Sequence, residues 1–292
     1  MTSNNFGDTI LIMRKTELKR IIKEIGLVPK KHRGQNFLAS EAIAERIVNA
    51  ASLSEKDCVV EVGPGLGVVT EKILNKGAEV IAIEIDKRLS SYLRKRFLTF
   101  KNFHLIEDDF FRLDKKKLLS YKGKKTMKFI SNLPYRGAKK IVRKLSRMNT
   151  FISIVITLQK EVADVLLVEP GKSASSSLAY FVHYRFKPVK LFDIPLNFFY
   201  PMPTVNSSTI FLPTRRPQMK ASDEDFFFRT LDLLLKPKRK KLKNNIKSTF
   251  NISYNKIEEI LEKCSIENNS RPTDLTIEEI INLSNLLKEQ IL

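Results

Sequence analysis

The sequence predicts an α/β fold: a mostly parallel, doubly wound sheet followed by a small all-helical domain. Three observations carry the prediction. Apolar, β-branched runs alternate with helix-period patterns from Val59 to Phe211, as expected of strands joined by crossover helices. A glycine-rich turn, Gly63-Pro64-Gly65-Leu66-Gly67, separates the first of these runs from the helical pattern after it. Beyond Pro213 only helix-period segments follow. The expected organisation is an N-terminal extension with a basic helix over 1–30, a sheet domain over 31–212 and a helical domain over 213–292.

Along the chain, residues 1–13 show no packing pattern and are expected to be poorly ordered. Arg14 to Ile25 reads as an amphipathic helix, with Leu18, Ile21, Ile22 and Ile25 on one face and Lys15, Lys19, Arg20 and Lys23 elsewhere. Lys30-Lys31-His32-Arg33 leads into Gly34-Gln35-Asn36-Phe37-Leu38, and Ser40-Glu41 opens a helix carrying Ile43, Ile47 and Val48. Strands are predicted at Cys58–Val62, Glu79–Asp86, Phe103–Phe110, in the run up to Asn132, and at Phe151–Ile156. Val69, Ile73 and Leu74 mark the helix after the first of them. Segments near Tyr180–Phe192 and Ser207–Leu212 are expected to form a terminal hairpin. Pro213 to Pro217 marks the domain boundary, and helices are predicted over Glu224–Leu235, Arg239–Thr249, Tyr254–Cys264 and Ile277–Lys288.

The chemistry sits at the ends of the predicted strands. From Gly63 to the carboxylate of Glu84 is 21 residues, the interval of a strand-turn-helix-strand unit in which an acid takes ribose hydroxyls. The glycines, however, read G-x-G-x-G with Pro64 inside, not the G-x-G-x-x-G of a pyrophosphate cradle. This favours an adenosyl cofactor without phosphates, S-adenosylmethionine, over a dinucleotide. After the third strand, Asp109 is placed to accept from an adenine amine in preference to Asp108; a helix cap is the other reading of Asp109. The fourth strand runs into Asn132-Leu133-Pro134-Tyr135. An Asn oxygen and a nearby carbonyl can accept from an exocyclic NH2, Pro134 stiffens the turn, and Tyr135 offers a ring face.

Composition narrows the partner. The net charge is +20, a sign that points to a polyanion. Residues 1–212 hold 37 Lys+Arg and 20 Asp+Glu, whereas 213–292 hold 15 and 12, so the sheet domain carries most of the excess. Lys238, Arg239, Lys240, Lys241 and Lys243 form a concentrated basic segment, read as a phosphate-binding helix or as a solvated face. No metal-ligand spacing, membrane-length apolar run or signal-peptide core is present. Cys58 and Cys264 show no pairing pattern, as for free thiols in a reducing cytoplasm. A cytoplasmic monomer is expected.

With these elements in place, the chain resembles the ribosomal RNA adenine N6,N6-dimethyltransferase family, and within it the small-subunit type. The resemblance spans residues 30–290 and extends to Leu158-Gln159-Lys160-Glu161-Val162 and to Phe199-Tyr200-Pro201-Met202-Pro203-Thr204-Val205-Asn206-Ser207. It implies a Rossmann-like class I S-adenosylmethionine-dependent methyltransferase sheet. Asn36, Leu38 and Gly63 would line the methionine side of the cofactor, Glu84 hold its ribose and Asp109 read its adenine. Gln35 would close over it, with Gly65 and Asn132 completing the set. Asn132, Leu133, Pro134, Tyr135 and Phe199 would hold the target base, the two rings sandwiching it. The implied partner is small-subunit rRNA or the immature small ribosomal subunit, methylated at two adjacent adenosines near the rRNA 3′ end. The large-subunit branch of the family and a non-catalytic ribosome-assembly or nucleic-acid-binding factor on the same fold stand as alternatives. The chain departs from the family pattern at Arg136-Gly137-Ala138, at Asn206 and at Ser175-Ser176-Ser177.

Overall fold

The computed structural model describes residues 5–29, 35–172, 175–215, 219–236 and 240–291, with side chains from Lys15 onward. The chain divides into two compact units, one made of Met1–Ile141, Met148–Ala163 and Val189–Pro213, the other of Val142–Arg147, Asp164–Pro188 and Thr214–Leu292.

The first unit opens with helix α1 (Asn5–Glu24), which starts nine residues earlier than its hydrophobic pattern does. Its apolar side, Leu18, Ile21 and Ile22, packs with Phe37, Leu66 and Leu89. After strand β1 (Phe37–Leu38), helix α2 (Glu41–Asn49) is capped by Ser40, whose hydroxyl accepts from the Ile43 N–H. Then come β2 (Asp57–Val62), α3 (Val68–Asn75), β3 (Glu79–Glu84), α4 (Lys87–Arg96), β4 (Phe103–Glu107), α5 (Lys115–Lys122), β5 (Thr126–Asn132), α6 (Ala138–Arg147), β6 (Ser153–Gln159) and α7 (Lys160–Leu167). Helix α8 (Ser177–Arg185) follows, then β7 (Val189–Ile194), β8 (Phe199–Tyr200) and β9 (Ser207–Pro213).

Among the described residues, seven strands form one sheet in the order β4-β3-β2-β5-β6-β9-β7, and β1 pairs with β8 in a second, two-stranded one. β2 to β6 run parallel; β9 is antiparallel to both β6 and β7. Of the parallel strands, β2, β3, β5 and β6 are buried on both faces, which is why they read as largely apolar runs, whereas the edge strand β4 is only partly buried. Their C-terminal ends share one rim, where Val62, Glu84, Glu107 and Asn132 stand.

The expected hairpin from Tyr180 is corrected. Residues 177–185 are helix, and only Val189–Ile194 pairs with β9. Tyr180 to Tyr184 is buried on every side, His183 included, so periodicity does not separate strand from helix there. The Ser176 hydroxyl, accepting from the Ala179 N–H, sets the helix start.

The second unit holds α8, α9 (Glu224–Leu235), α10 (Leu242–Phe250), α11 (Tyr254–Lys263) and α12 (Ile277–Ile291) around a core of Tyr180, Phe181, Phe227, Phe228, Leu261 and Leu287. Before α12, Thr276 and Glu279 exchange side-chain-to-backbone bonds in a capping box. No described helix is long and apolar enough to cross a membrane.

Candidate functional site

The shared rim of the parallel strands opens into a cavity of about 450 Å³. Of the site residues expected from sequence, Gln35, Asn36, Leu38, Gly63, Gly65, Glu84, Asp109, Asn132, Leu133 and Pro134 line it. Ligand sites at the carboxyl ends of strands are the rule for open α/β sheets.

The glycine turn forms one wall. Gly63 and Gly65 adopt φ of +68° and +59°, and a Cβ on Gly65 would meet the Phe37 ring at 2.9 Å. Side chains there would strain the turn and fill the cavity. Beside it, Glu84 is only 5% exposed. Its Oε1 accepts from the Ile85 and Asp86 N–H groups, each at 2.9 Å. Burial pushes its carboxyl up to about 7, against the lowering effect of the backbone N–H groups of Asp86, Ile85 and Gly65. Glu61 also lines the cavity and is 2% exposed; its Oε2 accepts from the Thr70 hydroxyl at 2.6 Å. Burial raises it to about 8, opposed by the Thr70 bond and reinforced by Glu84. No Lys, Arg or His pairs with either carboxylate among the described residues.

Asp109 combines its two readings. It lines the cavity, and its Oδ1 caps a short 3-10 turn, Phe110–Arg112, by accepting from the Phe111 N–H at 2.9 Å. Asp108 lines the cavity too, its Oδ1 accepting from the Asp109 N–H at 2.7 Å. Between Glu84 and Asp109 the walls are apolar: Ile85, 59% exposed, and Phe110.

At the far end, Asn132 closes β5. Its Nδ2 points at the Asn36 carbonyl, 3.4 Å away. Its Oδ1 is buried and has no hydrogen-bond partner. A buried acceptor without a partner is costly, and among the described residues with such an atom Asn132 alone lines the cavity, where an incoming donor would meet it. Leu133 donates its N–H to the Thr157 carbonyl at 2.9 Å, fixing the turn to β6. Tyr135 is not part of the lining, although Pro134 and Arg136 on either side of it are; it is half-buried, its hydroxyl bonded to Ser207 Oγ at 2.7 Å. That bond joins the Asn132–Tyr135 turn to the segment ending at Ser207, and burial raises the Tyr135 phenol above its usual range.

Phe199 does not reach the cavity. It is 0% exposed, pairs with Leu38 across β1 and β8, and packs in the core with Ile194. In this conformation Tyr135 and Phe199 do not form the two faces of a base sandwich.

The basic segment also differs from the expected helix face. Lys238 and Arg239 lie outside the described residues. Lys240 and Lys241 precede α10, and only Lys243 lies within it. Their ammonium groups are engaged: Lys240 with Ser248 Oγ and Lys241 with Asn269 Oδ1, both at 2.9 Å, and Lys243 with Glu258 at 3.6 Å.

Among the cavity residues without a role expected from sequence are Glu61, Ile85, Phe110 and Phe111. Glu61 was visible two positions before Gly63, but nothing in that spacing shows its burial or its Thr70 bond. Ile85 and Phe111 (45% exposed) are apolar residues that face the cavity instead of the core, which no pattern of residue types records.

This set fits an adenosyl sulfonium cofactor: acceptors for ribose hydroxyls at Glu84, an acceptor for an adenine amine at Asp109, apolar faces for the ring and two uncompensated carboxyls near a cationic ligand. No described cluster of His, Cys, Asp and Glu could hold a metal ion. Cys58 and Cys264 are buried free thiols, raised by burial to about 12 and about 11.

Comparison with known proteins agrees with this geometry. Residues 28–289 match the family model described as ribosomal RNA adenine dimethylase. Proteins named ribosomal RNA small subunit methyltransferase A are similar over nearly their full length. That of Borrelia garinii subsp. bavariensis is 35% identical, covering 93% of each chain, and that of Alkaliphilus oremlandii is 35% identical over 97% of this chain and all of the relative. Among solved structures, a dimethyladenosine transferase from Plasmodium falciparum superposes with a TM-score of 0.71 at 24% identity, over 85% of this chain and 95% of that one. The 23S rRNA methyltransferase ErmE gives 0.64 at 20% identity, over 86% and 99%. A family match across this much of the chain, with relatives 35% identical over nearly their whole length, establishes that the chain belongs to the ribosomal RNA adenine dimethylase family.

Proposed function

We propose that this enzyme transfers methyl groups from S-adenosylmethionine to N6 of two adjacent adenosines near the 3′ end of small-subunit rRNA, during assembly of the small ribosomal subunit. The observation that carries the reading is the buried, unpartnered Oδ1 of Asn132 at the rim of the cofactor cavity. The names of the similar proteins, matched over nearly their whole length, support the small subunit as the source of the RNA.

The cofactor supplies an electrophilic methyl group on a sulfonium. Glu84 holds the ribose, Asp109 and the apolar faces of Ile85 and Phe110 hold the adenine, and the glycine turn gives close backbone approach. The target N6 is a poor nucleophile because its lone pair is delocalised into the ring. In the first transfer Asn132 Oδ1 and the Leu133 carbonyl accept from its two N–H groups, which draws the nitrogen toward tetrahedral geometry and localises the lone pair; one N6 proton is released to solvent with each methyl gained, and the second transfer proceeds with the single N–H that remains. Tyr135, anchored by Ser207, stacks on the base, an interaction worth about 1–3 kcal/mol. Orientation of the two reactants supplies much of the remaining rate. A paired adenine cannot present N6 in this way, so the target is a loop or flipped nucleotide.

Incubating the protein with labelled S-adenosylmethionine and under-methylated small subunits, then mapping the labelled bases, tests the reading. Two adjacent N6,N6-dimethyladenosines in small-subunit rRNA are expected. No label in the small subunits, with label entering under-methylated large subunits offered in a parallel reaction or no label in either, would overturn it.

A further inference from the structure

The helices that leave the rim of the cavity begin with cations. α4 begins Lys87-Arg88, α5 begins Lys115-Lys116-Lys117 and α6 begins Ala138-Lys139-Lys140. None of the three has an acid within its first turn, although Asp86 and Asp114 cap α4 and α5. Cations in a first turn oppose the helix dipole, so they stabilise nothing in the helix they sit on.

Topology gathers these charges. Each of the three helices starts where a parallel strand ends, on the rim that holds the cavity. Right-handed crossovers in the order β4-β3-β2-β5-β6 put α5 and α6 on the same face of the sheet, opposite α3 and α4. One face of the rim therefore presents Arg112, Lys115, Lys116 and Lys117 past the end of β4, and Lys139 and Lys140 past the end of β5, all exposed. None of these six makes an ion pair with a described residue. Asp114, the acid among them, is spent as the α5 cap through the Lys116 N–H. Arg136 lines the cavity between the two groups.

Resting on the methyl-transfer reading above, we propose that this cationic rim on the α5 and α6 side is where the enzyme grips the RNA backbone flanking the target adenosine. The cations match phosphates in charge and sit beside the cavity into which the base must pass. Backbone contacts of this kind fix register and carry no sequence information. They also leave a salt signature, because each neutralised phosphate releases counterions.

The test compares two charge-reducing variants of the full chain on one helix. Lys115→Gln/Lys116→Gln/Lys117→Gln removes the rim end of α5; Lys122→Gln/Lys124→Gln removes lysines from its opposite end. Binding of under-methylated small subunits, and of a naked rRNA fragment spanning the target adenosines, is measured across a salt series. For the rim variant the slope of log affinity against log salt should shrink by about 0.7–0.9 for each phosphate that is no longer neutralised. Affinity should fall several-fold at low salt, S-adenosylmethionine affinity should hold and the melting temperature should stay level or rise. The opposite-end variant should keep the wild-type slope. Lys139→Gln/Lys140→Gln should reproduce the effect from α6. Equal losses in the rim and opposite-end variants, or unchanged slopes in both rim variants, would overturn the proposal. So would a loss seen with subunits but not with naked RNA, which would make the partner a protein. Wild-type methyl transfer in the same preparations reads the underlying function separately: if it fails while the slopes change as expected, the methyl-transfer reading falls and the RNA grip stands.

Discussion

The two ends of the cavity treat buried polar groups in opposite ways. At the carboxylate end, Glu61 and Glu84 are enclosed but engaged, by the Thr70 hydroxyl and by backbone N–H groups, and burial keeps their protons on into the neutral range. At the amide end, Asn132 Oδ1 is enclosed and has nothing to accept from. The first arrangement is complete without a ligand and changes charge when a cation arrives. The second is neutral, incomplete and waits for a donor. In the function proposed above the difference separates binding from catalysis: the carboxylates would hold the cofactor, and the amide would act on the amine as it reacts.

The largest expected effect breaks the amide end. Asn132→Ala should slow single-turnover methyl transfer at saturating RNA by about 2–4 kcal/mol of transition-state stabilisation. Its thermal stability should hold or rise, because the variant deletes an unsatisfied acceptor. A rate loss under about fivefold would remove Asn132 from this role.

Next comes the carboxylate end. Glu84→Ala should weaken S-adenosylmethionine binding by roughly 1.5–3 kcal/mol, the cost of losing a charged acceptor for ribose hydroxyls. Unchanged affinity by calorimetry would move the ribose elsewhere.

A smaller effect follows from the protons. Ribose hydroxyls and a nearby sulfonium favour ionised carboxylates, so cofactor binding should release protons. Affinity should climb as pH rises through about 7 to 8, several-fold between pH 6 and pH 8, and Glu84→Gln should flatten the rise. The same groups affect folding with a definite sign. Their folded-state values lie above the unfolded 4.5, so the folded protein binds more protons between the two. Stability is therefore highest at the acid side of that window and falls as pH rises through 7 to 8. Calorimetry in buffers of different ionisation enthalpy measures the released protons directly, and a buffer-independent heat would contradict the scheme.

The smallest effect concerns the second unit. Lys240 and Lys241 already bond to Ser248 and Asn269, and Lys243 faces Glu258. Lys240→Ala/Lys241→Ala should reduce the salt slope of RNA binding by no more than about two neutralised phosphates would contribute. A larger drop than that of the α5 rim variant would return the main RNA grip to this segment.

Much of this was legible in the sequence, for identifiable reasons. Strands buried on both faces and the glycine turn leave patterns that need no tertiary information, so the sheet from β2 to β6 and the residues at its C-terminal rim followed from spacing alone. Tyr180–Arg185 did not, because a buried run with neither helical nor strand alternation fits both, and the Ser176 hydroxyl caps the helix that forms. The start of α10 at Leu242 was hidden behind continuous lysines, which suit a helix or the coil before it. Phe199 carries a family pattern, yet its ring belongs to the core, and only packing reveals that. The carboxyl of Glu61 and the unpartnered oxygen of Asn132 are properties of enclosure, invisible until neighbours are in place.

The division between binding and catalysis is tested most directly by two readouts on two variants. Cofactor dissociation constants by calorimetry, and single-turnover rates at saturating cofactor and RNA, are measured for Asn132→Ala and Glu84→Ala side by side. The pattern should cross: Asn132→Ala loses rate and holds cofactor affinity within a few-fold, while Glu84→Ala loses affinity and recovers most of its rate at saturation. If both variants shift the same parameter to a similar extent, the two ends of the cavity do not divide the work in this way.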